Sequence, residues 1–304
     1  MRVIKIMTVL VIGSIGFFCC KTKDNTSGQQ QAKEKQISAN EKKFITSFEQ
    51  WNQTLEPLVS AHRGGPYPGF PENAIETFQN IVNQTPTVIE CDVSMTKDSV
   101  LVLMHDRNLD RTTTGEGAIK EATFTELQQL TLVDNDGNKT NFKIPTLDEV
   151  LAWGKGKVLF TLDVKRGVPY DKVIEAVEKH NAVSYAAVIT YRIQDAVEVH
   201  KLNKDVIISV SAGSDGALEQ IEKTELPVDK LLGFVGTRQP EKSHYKKLKK
   251  FGIRTILGTL GNLDKSAVAK GDDKVYLTYI ENGANIIATD RPLEVAKVLA
   301  EAKK

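Results

Sequence analysis

The stretch Val88–Asp106, VIECDVSMTKDSVLVLMHD, contains two apolar runs separated by the polar turn Thr-Lys-Asp-Ser. A connection this short joins antiparallel strands, because a parallel return needs a crossover of a dozen or more residues. The stretch therefore predicts a β-hairpin. If Asp98 and Ser99 form its loop, His105 on the second strand faces Asp92 on the first to within one or two residues.

Alternation along the first strand predicts an acidic patch. Successive side chains point to opposite faces, so Glu90 and Asp92 share one face while Cys91 points to the other. Burying unpaired carboxylates is costly, so a bound cation is the economical explanation of two carboxylates beside the imidazole of His105. Hard oxygen ligands favour Mg²⁺ or Ca²⁺ over zinc. The alternative is a solvated strand face with a salt bridge to a lysine.

The composition is that of an ordinary globular protein. The chain has 304 residues, of which 40% are hydrophobic and 26% charged, and its formal net charge is +1. No concentrated basic stripe is present, so we expect no nucleic-acid partner. The densest basic run, residues 246–250, is interpreted as the exposed face of a helix.

Residues 1–20 differ from the rest of the chain. Two basic residues precede an apolar run that ends in Cys19 and Cys20, which is the plan of a secretory signal and is too short for a membrane span. A cysteine in this place resembles that of bacterial lipoprotein signals, in which the thiol is acylated. We favour Cys20 as the lipidated residue, because the small Cys19 precedes it whereas the bulky Phe18 precedes Cys19. The alternative is an ordinary cleaved signal with incidental cysteines.

Residues 21–43 are polar and predict a flexible tether ahead of a folded domain over residues 44–304, whose first helix spans residues 44–55. Only Cys91 would then stay unmodified, so no intrachain disulfide is expected. The sequence predicts an exported bacterial protein, anchored to a membrane by an N-terminal lipid and facing the periplasm or the cell exterior. It leaves open which membrane carries the anchor and whether the protein self-associates.

Short apolar runs alternate with helical patterns over the folded domain, which predicts parallel strands joined by right-handed crossovers. Eight units of this kind favour an α/β fold, a (β/α)₈ TIM barrel with the β-hairpin and a small insertion, residues 107–143, after strand 2. An open doubly wound sheet is the alternative. The strand candidates are residues 59–62, 88–93, 158–164, 186–190, 206–210, 231–235, 254–258 and 286–289. The helix candidates between them are residues 73–82, 147–153, 171–179, 194–201, 216–223, 241–250 and 265–281.

Charged residues collect where the first three barrel strands end, and this is the face that carries the chemistry in TIM barrels. The set comprises His62, Arg63, Glu90, Asp92, His105, Asp163 and Lys165. A cation that neutralises phosphoryl oxygens, fixed positive charges and proton-transferring imidazoles are the parts that metal-assisted phosphodiester cleavage needs. The sequence therefore predicts a small-molecule phosphodiester as substrate.

Several ordered motifs resemble the glycerophosphodiester phosphodiesterase family from about Val59 to Leu299. They are His62-Arg63-Gly64, Pro71-Glu72-Asn73, Glu90-x-Asp92-Val93, Thr96-Lys97-Asp98, His105-Asp106, Arg111-Thr112-Thr113, Ile144-Pro145-Thr146-Leu147 and Thr289-Asp290-Arg291-Pro292. The resemblance implies a TIM-barrel hydrolase that splits a glycerophosphodiester into glycerol 3-phosphate and an alcohol. In many members the substrate's own neighbouring hydroxyl is thought to attack first.

The resemblance also implies roles for single residues. His62 and His105 look like the general acid and base, in an order left open, and Glu72 holds the rim loops. Glu90, Asp92 and Asp163 look like the ligands of one divalent cation, Mg²⁺ or Ca²⁺, while Arg63 and Lys165 look like phosphate contacts.

Three departures from the family pattern concern the site. Asp163 stands where most members have glutamate, and residues 255–260 lack a tryptophan that many members carry there. The loop at residues 66–70 is lengthened, and we hypothesise that Tyr67 and Phe70 form an apolar lip over the substrate. The alternative is a rigid surface turn stiffened by two prolines.

Two other functions compete with this interpretation. One is a phospholipase D-like phosphodiesterase similar to sphingomyelinase D. That enzyme has a related barrel, in which an aspartate is expected as the third metal ligand. The other is a catalytically inactive binding lipoprotein at the cell surface, against which the presence of all the rim residues argues.

Overall fold

The computed structural model describes residues 45–54 and 56–303. The signal at 1–20 with Cys19 and Cys20, the tether at 21–43 and both ends of the first predicted helix, Phe44 and Leu55, lie outside the described residues. Within the described part of the chain, no helix is long and apolar enough to span a membrane.

The fold is a closed parallel barrel. Its strands are β1 (Leu58–Ala61), β2 (Val88–Met95), β3 (Leu101–Leu103), β4 (Leu159–Val164), β5 (Ala186–Ile189), β6 (Ile208–Ser211), β7 (Leu231–Phe234), β8 (Arg254–Gly258) and β9 (Ile286–Thr289). The strand order is β1-β9-β8-β7-β6-β5-β4-β2-β3, and a parallel pairing of β1 with β2 closes the ring. Among the strands of the described residues, only β3 lies outside the ring, as the antiparallel partner of β2. The predicted (β/α)₈ barrel with a hairpin after its second strand is confirmed.

Helices surround the barrel and cover its outer face. The described helices are α1 (Phe48–Thr54), α2 (Ile75–Val82), α3 (Phe124–Leu127), α4 (Leu147–Gly154), α5 (Tyr170–Lys179), α6 (Ile193–Leu202), α7 (Asp215–Glu222), α8 (Lys242–Phe251), α9 (Asn262–Lys270), α10 (Val275–Asn282) and α11 (Pro292–Glu301). Of these, α3 belongs to the insertion after β3 and not to the layer around the barrel. Barrel strands such as β2 and β4 are buried almost throughout, because one face lines the barrel and the other packs against helices.

The hairpin register differs by one residue from the prediction. Val93 pairs with Leu103, and the backbone N–H of Met104 donates to the carbonyl of Asp92 at 2.9 Å, so Met104 rather than His105 faces Asp92. The reason is a three-residue loop, residues 97–99, in place of the two-residue loop that we assumed. Its last residue, Ser99, takes a left-handed conformation with φ 65°, as such loops require.

The helix predicted over residues 265–281 is two helices, α9 and α10. Gly271, with φ 61°, ends α9, and its backbone N–H donates to the carbonyls of Ala267 and Val268 in the last turn of that helix. The chain also forms α11 after the last strand, a helix that was not predicted from the sequence. Pro292 begins α11, where its missing N–H costs no hydrogen bond.

The insertion at residues 107–143 builds a second, smaller core against the hairpin and the rim. The buried members of this core are Ala74, Val102, Met104, Leu109, Ile119, Leu127, Leu132 and Ile144. Its helix α3 is fixed by a capping box in which Thr123 and Glu126 satisfy each other's backbone N–H groups. The insertion is therefore a folded extension of the C-terminal rim.

Candidate active site

Three carboxylates meet at the C-terminal end of the barrel. Glu90 and Asp92 share one face of β2, and Asp163 on β4 is the parallel partner of Asp92. All three residues are buried, and one oxygen of each lies within 4.8 Å of the corresponding oxygens of the other two. The structure thus brings together the three predicted metal ligands, which we call the acid triad.

Protein groups offset the negative charge of the acid triad only in part. Lys165 Nζ lies 2.6 Å from Asp92 Oδ1 and 2.6 Å from Asp163 Oδ2. Burial, followed by the neighbouring charge of Asp92, raises the pKa of Glu90. Burial alone would also raise the pKa of Asp92, but Lys165 and Asn73 hold it below its usual range. A buried, oxygen-only donor set with surplus negative charge fits a hard divalent cation.

The loops after β1 orient the first two carboxylates. Arg63 has φ 53°, and its backbone N–H donates to Glu90 Oε2 at 2.6 Å. Such a conformation is uncommon for a residue other than glycine, and strain of this kind concentrates at functional sites. Asn73 donates its Nδ2 to Asp92 Oδ2 at 2.7 Å and accepts the backbone N–H of Asp92 at 3.0 Å. Glu90 and Asp92 are therefore held by groups from a separate segment.

His62 follows β1 and is oriented by a carboxylate from the neighbouring strand. Its Nδ1 lies 2.7 Å from Oδ1 of Asp290, which follows β9. A carboxylate accepts hydrogen bonds, so Nδ1 carries the proton and Nε2 is left for proton exchange. Burial alone would lower the pKa of His62, but the hydrogen bond to Asp290 and the charge of Glu90 leave it raised.

His105 follows β3 and has an equivalent arrangement. Its Nδ1 lies 2.7 Å from Asp106 Oδ1, and Arg111 donates its Nε to Asp106 Oδ2 at 2.6 Å. Arg111, followed by His105, holds the pKa of Asp106 well below its usual range. The backbone N–H of Met104, the residue before His105, donates to the Asp92 carbonyl at 2.9 Å, which places His105 at the same end of the barrel as the acid triad. Both predicted catalytic histidines therefore lie at the same site.

Glu72 ties the rim loops together. Both of its oxygens accept hydrogen bonds from Arg63 Nη1, at 3.1 and 3.0 Å, and Arg111 Nη1 and Nη2 donate to them at 2.9 and 2.8 Å. Glu72 therefore has the role predicted for it from the sequence, which was to hold the rim loops. Arg63 Nε lies buried 3.9 Å from Asp92 Oδ2, without a hydrogen-bond partner among the described residues.

The lengthened loop at residues 66–70 is fixed at three points. Tyr67 Oη donates to Glu294 Oε2 at 2.8 Å, and the N–H of Gly69 donates to Asp134 Oδ2 at 2.8 Å. The ring of Phe70 packs against Phe142 of the insertion, with centroids 6.4 Å apart. These contacts agree with a rigid turn, and an apolar lip formed by Tyr67 and Phe70 stays a prediction.

Sequence reasoning gave no role to several residues that the structure places at the site. Asn73, Asp106, Arg111 and Asp290 stood in the quoted motifs, so their positions were a usable signal. Tyr191 carries no such signal: it lies just beyond β5, and its hydroxyl donates to Asp163 Oδ1 at 2.8 Å.

Comparison with solved structures finds the same barrel fold in other proteins. A glycerophosphoryl diester phosphodiesterase from Parabacteroides distasonis superposes with a TM-score of 0.76 at 32% identity, over 81% of this chain and 87% of that one. A phosphodiesterase from Oleispira antarctica, solved with the product sn-glycerol-3-phosphate, has a TM-score of 0.65 at 20% identity over 82% of this chain and 98% of that one, which shows a common fold.

Comparison at the level of sequence gives the family. A glycerophosphodiester phosphodiesterase of Caldanaerobacter subterraneus is 37% identical over 134 residues, which are 42% of this chain and 55% of that protein. One from Bacillus subtilis is 28% identical over 192 residues, 54% of this chain and 65% of that protein. The chain thus spans between half and two thirds of the length of these relatives. Because the model of the glycerophosphoryl diester phosphodiesterase family matches residues 62–274, the chain belongs to that family.

Proposed function

We propose that the protein hydrolyses glycerophosphodiesters to glycerol 3-phosphate and an alcohol, with the aid of one divalent cation. The observation that carries the proposal is the acid triad, with ligand oxygens within 4.8 Å of one another, beside two histidines that are each hydrogen-bonded to a carboxylate. Membership of the family and the activity named for its relatives support the substrate class.

Glu90, Asp92 and Asp163 would hold the cation, Mg²⁺ or Ca²⁺, through carboxylate oxygens. A divalent cation at this position supplies neutralising charge for the phosphoryl oxygens. The protein's part is to keep three carboxylates together against their mutual repulsion. Asn73 and the backbone of Arg63 do this for the two carboxylates on β2.

His62 and His105 would transfer the protons. Each imidazole has its Nδ1 fixed by a carboxylate, so each presents Nε2 in a set orientation. One histidine would remove a proton from the neighbouring hydroxyl of the substrate as it attacks phosphorus, and the other would give a proton to the departing alcohol oxygen, which leaves a cyclic phosphate. With the two roles reversed, the histidines would then activate water and protonate the ring oxygen that departs, which opens the cyclic phosphate to glycerol 3-phosphate. A positioned acid or base of this kind contributes about 10²- to 10⁴-fold to the rate.

Arg63 and Lys165 would bind the phosphate. Their side chains are 20% and 23% exposed, so each is open to a ligand from the rim. Arg63 Nε has no hydrogen-bond partner among the described residues, and Lys165 Nζ already lies between two carboxylates of the acid triad. Fixed positive charge close to the reacting phosphate stabilises the charge that develops in the transition state.

We further propose that Cys20 carries a lipid and that the protein acts outside the cytoplasm, on the surface of a bacterial membrane. The support is the sequence of residues 1–43 alone. Mass spectrometry of the membrane fraction tests it: an acylated N-terminal Cys20 supports the anchor, whereas a mature protein that begins beyond residue 20 contradicts it.

A substrate panel tests the activity. Purified protein is incubated with glycerophosphocholine, glycerophosphoethanolamine or lysophosphatidylcholine, with chelator, Mg²⁺ or Ca²⁺. We expect release of glycerol 3-phosphate from the first two, loss of activity in chelator and recovery with one of the cations. The Asp92→Asn variant should be inactive, whereas Asp205→Asn, on an exposed carboxylate, should match the unmodified protein.

Other results would favour the competing functions. Turnover of the lysophospholipid alone would indicate a phospholipase D-like enzyme similar to sphingomyelinase D. Cation and substrate binding by calorimetry without turnover of any substrate would indicate a binding protein.

A further inference from the structure

Tyr191 connects the acid triad to the next strand of the barrel. It lies two residues beyond Ile189, which is the parallel partner of Asp163 in the sheet. The residue is 63% exposed, yet its hydroxyl donates to Oδ1 of the buried Asp163 at 2.8 Å. Its backbone is held as well, because Ser211 Oγ donates to the Tyr191 carbonyl at 3.2 Å. An exposed tyrosine therefore has a fixed contact with a buried carboxylate.

Asp163 differs from the other two members of the acid triad in how it is supported. Glu90 accepts a backbone N–H, and Asp92 is joined to Asn73 by two hydrogen bonds. Within the described part of the chain, the side chains that hydrogen-bond Asp163 are Lys165, whose Nζ donates to Oδ2, and Tyr191, whose Oη donates to Oδ1. Lys165 also binds Asp92 and sits on a flexible four-carbon stem, so it attracts Asp163 without fixing its orientation.

We propose that Tyr191 is a positioning residue, whose hydroxyl holds the carboxylate of Asp163 in the orientation needed for cation binding. The inference rests on the cation site of the proposed function. A phenol is rigid and has two side-chain torsions, so its hydroxyl sets the direction of Asp163 Oδ1 at a small entropic cost. Loss of a hydrogen bond to a metal ligand lowers metal affinity by about 10- to 100-fold.

The Tyr191→Phe variant tests the inference, because it removes only the hydroxyl. Isothermal titration calorimetry of the full-length protein with Mg²⁺ and with Ca²⁺ should show binding at least about tenfold weaker than in the unmodified protein. Tyr185→Phe is the matched control: it removes a phenol hydroxyl that binds the Leu151 carbonyl at the opposite end of β5, and it should leave cation affinity unchanged.

Activity provides a second measurement. In Tyr191→Phe the cation concentration for half-maximal rate should rise by the same factor as the dissociation constant, while kcat at saturating cation should return close to that of the unmodified protein. Cation affinity in Tyr191→Phe within twofold of the unmodified protein overturns the inference and leaves the proposed function intact. An unmodified protein that binds neither cation overturns both.

Discussion

At the scale of single residues, the two histidines are the groups on which the proposed chemistry depends. Each is held by one carboxylate at 2.7 Å, and neither belongs to the buried core. Replacing His62 or His105 with alanine should therefore lower kcat by about a hundredfold or more without unfolding the protein. Initial rates and circular dichroism check this. A variant that keeps full activity removes its histidine from the mechanism.

Asp290 should control the pH range in which His62 works. Its hydrogen bond and charge raise the pKa of His62 against the effect of burial. A raised histidine pKa stabilises the folded protein below the ordinary value of 6.5, and this stabilisation is lost as the pH rises through the folded-state pKa. Asp290→Asn removes the charge, so the pKa of His62 should fall.

The pH dependence of kcat/KM measures this change directly. The side of the pH profile that reflects the titration of His62 should move to lower pH in Asp290→Asn, whether His62 acts as the general acid or as the general base. The NMR chemical shift of a carbon-bound ring proton of His62 should also show a titration midpoint at lower pH in this variant. An unchanged NMR titration would show that Asp290 does not govern the protonation of His62.

The residues that could be predicted are those whose positions follow from strand geometry. Glu90 and Asp92 share a face because side chains alternate along β2, and the end of β4 brings Asp163 beside them. Tyr191 and Asp290 could not be assigned contacts in this way. Their side chains reach across from neighbouring strands, and such contacts depend on barrel closure and on the course of the loops rather than on sequence spacing.

At the scale of elements, Glu72 links the loop after β1 to the insertion, because it binds Arg63 of the loop and Arg111 of the insertion. It is 3% exposed and accepts hydrogen bonds from two guanidinium groups. Glu72→Ala leaves Arg63 and Arg111 facing each other, and because both are partly exposed we expect a loss of about 2 kcal/mol in the free energy of unfolding. Activity should fall too, since Arg63 loses its carboxylate partner and Arg111, which holds Asp106, loses one of its two.

Urea denaturation measures the stability change. Glu56→Ala is the control, because its ion pair with Lys303 is about half exposed on each side and should contribute less than about 1 kcal/mol. Equal stability losses in the two variants would mean that the Glu72 pairs are no stronger than an ordinary surface ion pair.

Gly64 determines how closely the catalytic turn packs against α2. It has φ +83°, and a Cβ atom there would come 2.1 Å from Phe78 Cδ1. Gly64→Ala should therefore displace the turn that carries His62, with a loss of more than about 2 kcal/mol in the free energy of unfolding. Gly137→Ala is the matched control, because Gly137 has φ +85° with no atom within 4 Å of its Cβ position.

Thermal unfolding and kcat together check this prediction. The control should show only the conformational cost, about 1 kcal/mol, with activity retained. Equal melting temperatures for the two variants would show that the contact with Phe78 does not matter.

Helices and strands could be predicted where a regular apolar pattern ran through the whole element. The prediction was less accurate where the conformation of a single turn residue set the register of a hairpin or the end of a helix. The alternation of apolar runs and helical patterns gave the barrel. The hairpin register was one residue off because Ser99 adopts φ 65°, which lengthens the loop. The sequence predicted one helix over residues 265–281, because the helical pattern continues on both sides of Gly271. The glycine ends α9 instead, and α10 begins four residues later.

At the scale of the whole molecule, cation binding should be coupled to folding, since the acid triad exists only when β2 and β4 are paired. A ligand that binds the folded state alone at 100 times its Kd adds about 2.7 kcal/mol to the free energy of unfolding. Mg²⁺ or Ca²⁺ should therefore raise the melting temperature by roughly 5–10 °C at saturation. Asp92→Asn should abolish the increase, whereas Asp205→Asn should keep it.

The stabilisation of the fold by the cation should also depend on pH, because Glu90 must release its proton to bind the cation. Burial and Asp92 raise the pKa of Glu90 from 4.5 to about 8, so without cation the folded state binds the proton more tightly than the unfolded state, and stability falls as the pH rises between these values. A cation replaces that proton, so its stabilising effect should grow from pH 5 to pH 8. Melting curves with chelator and with saturating cation across this range measure the difference. A cation effect that stays constant with pH would show that Glu90 releases no proton when the cation binds.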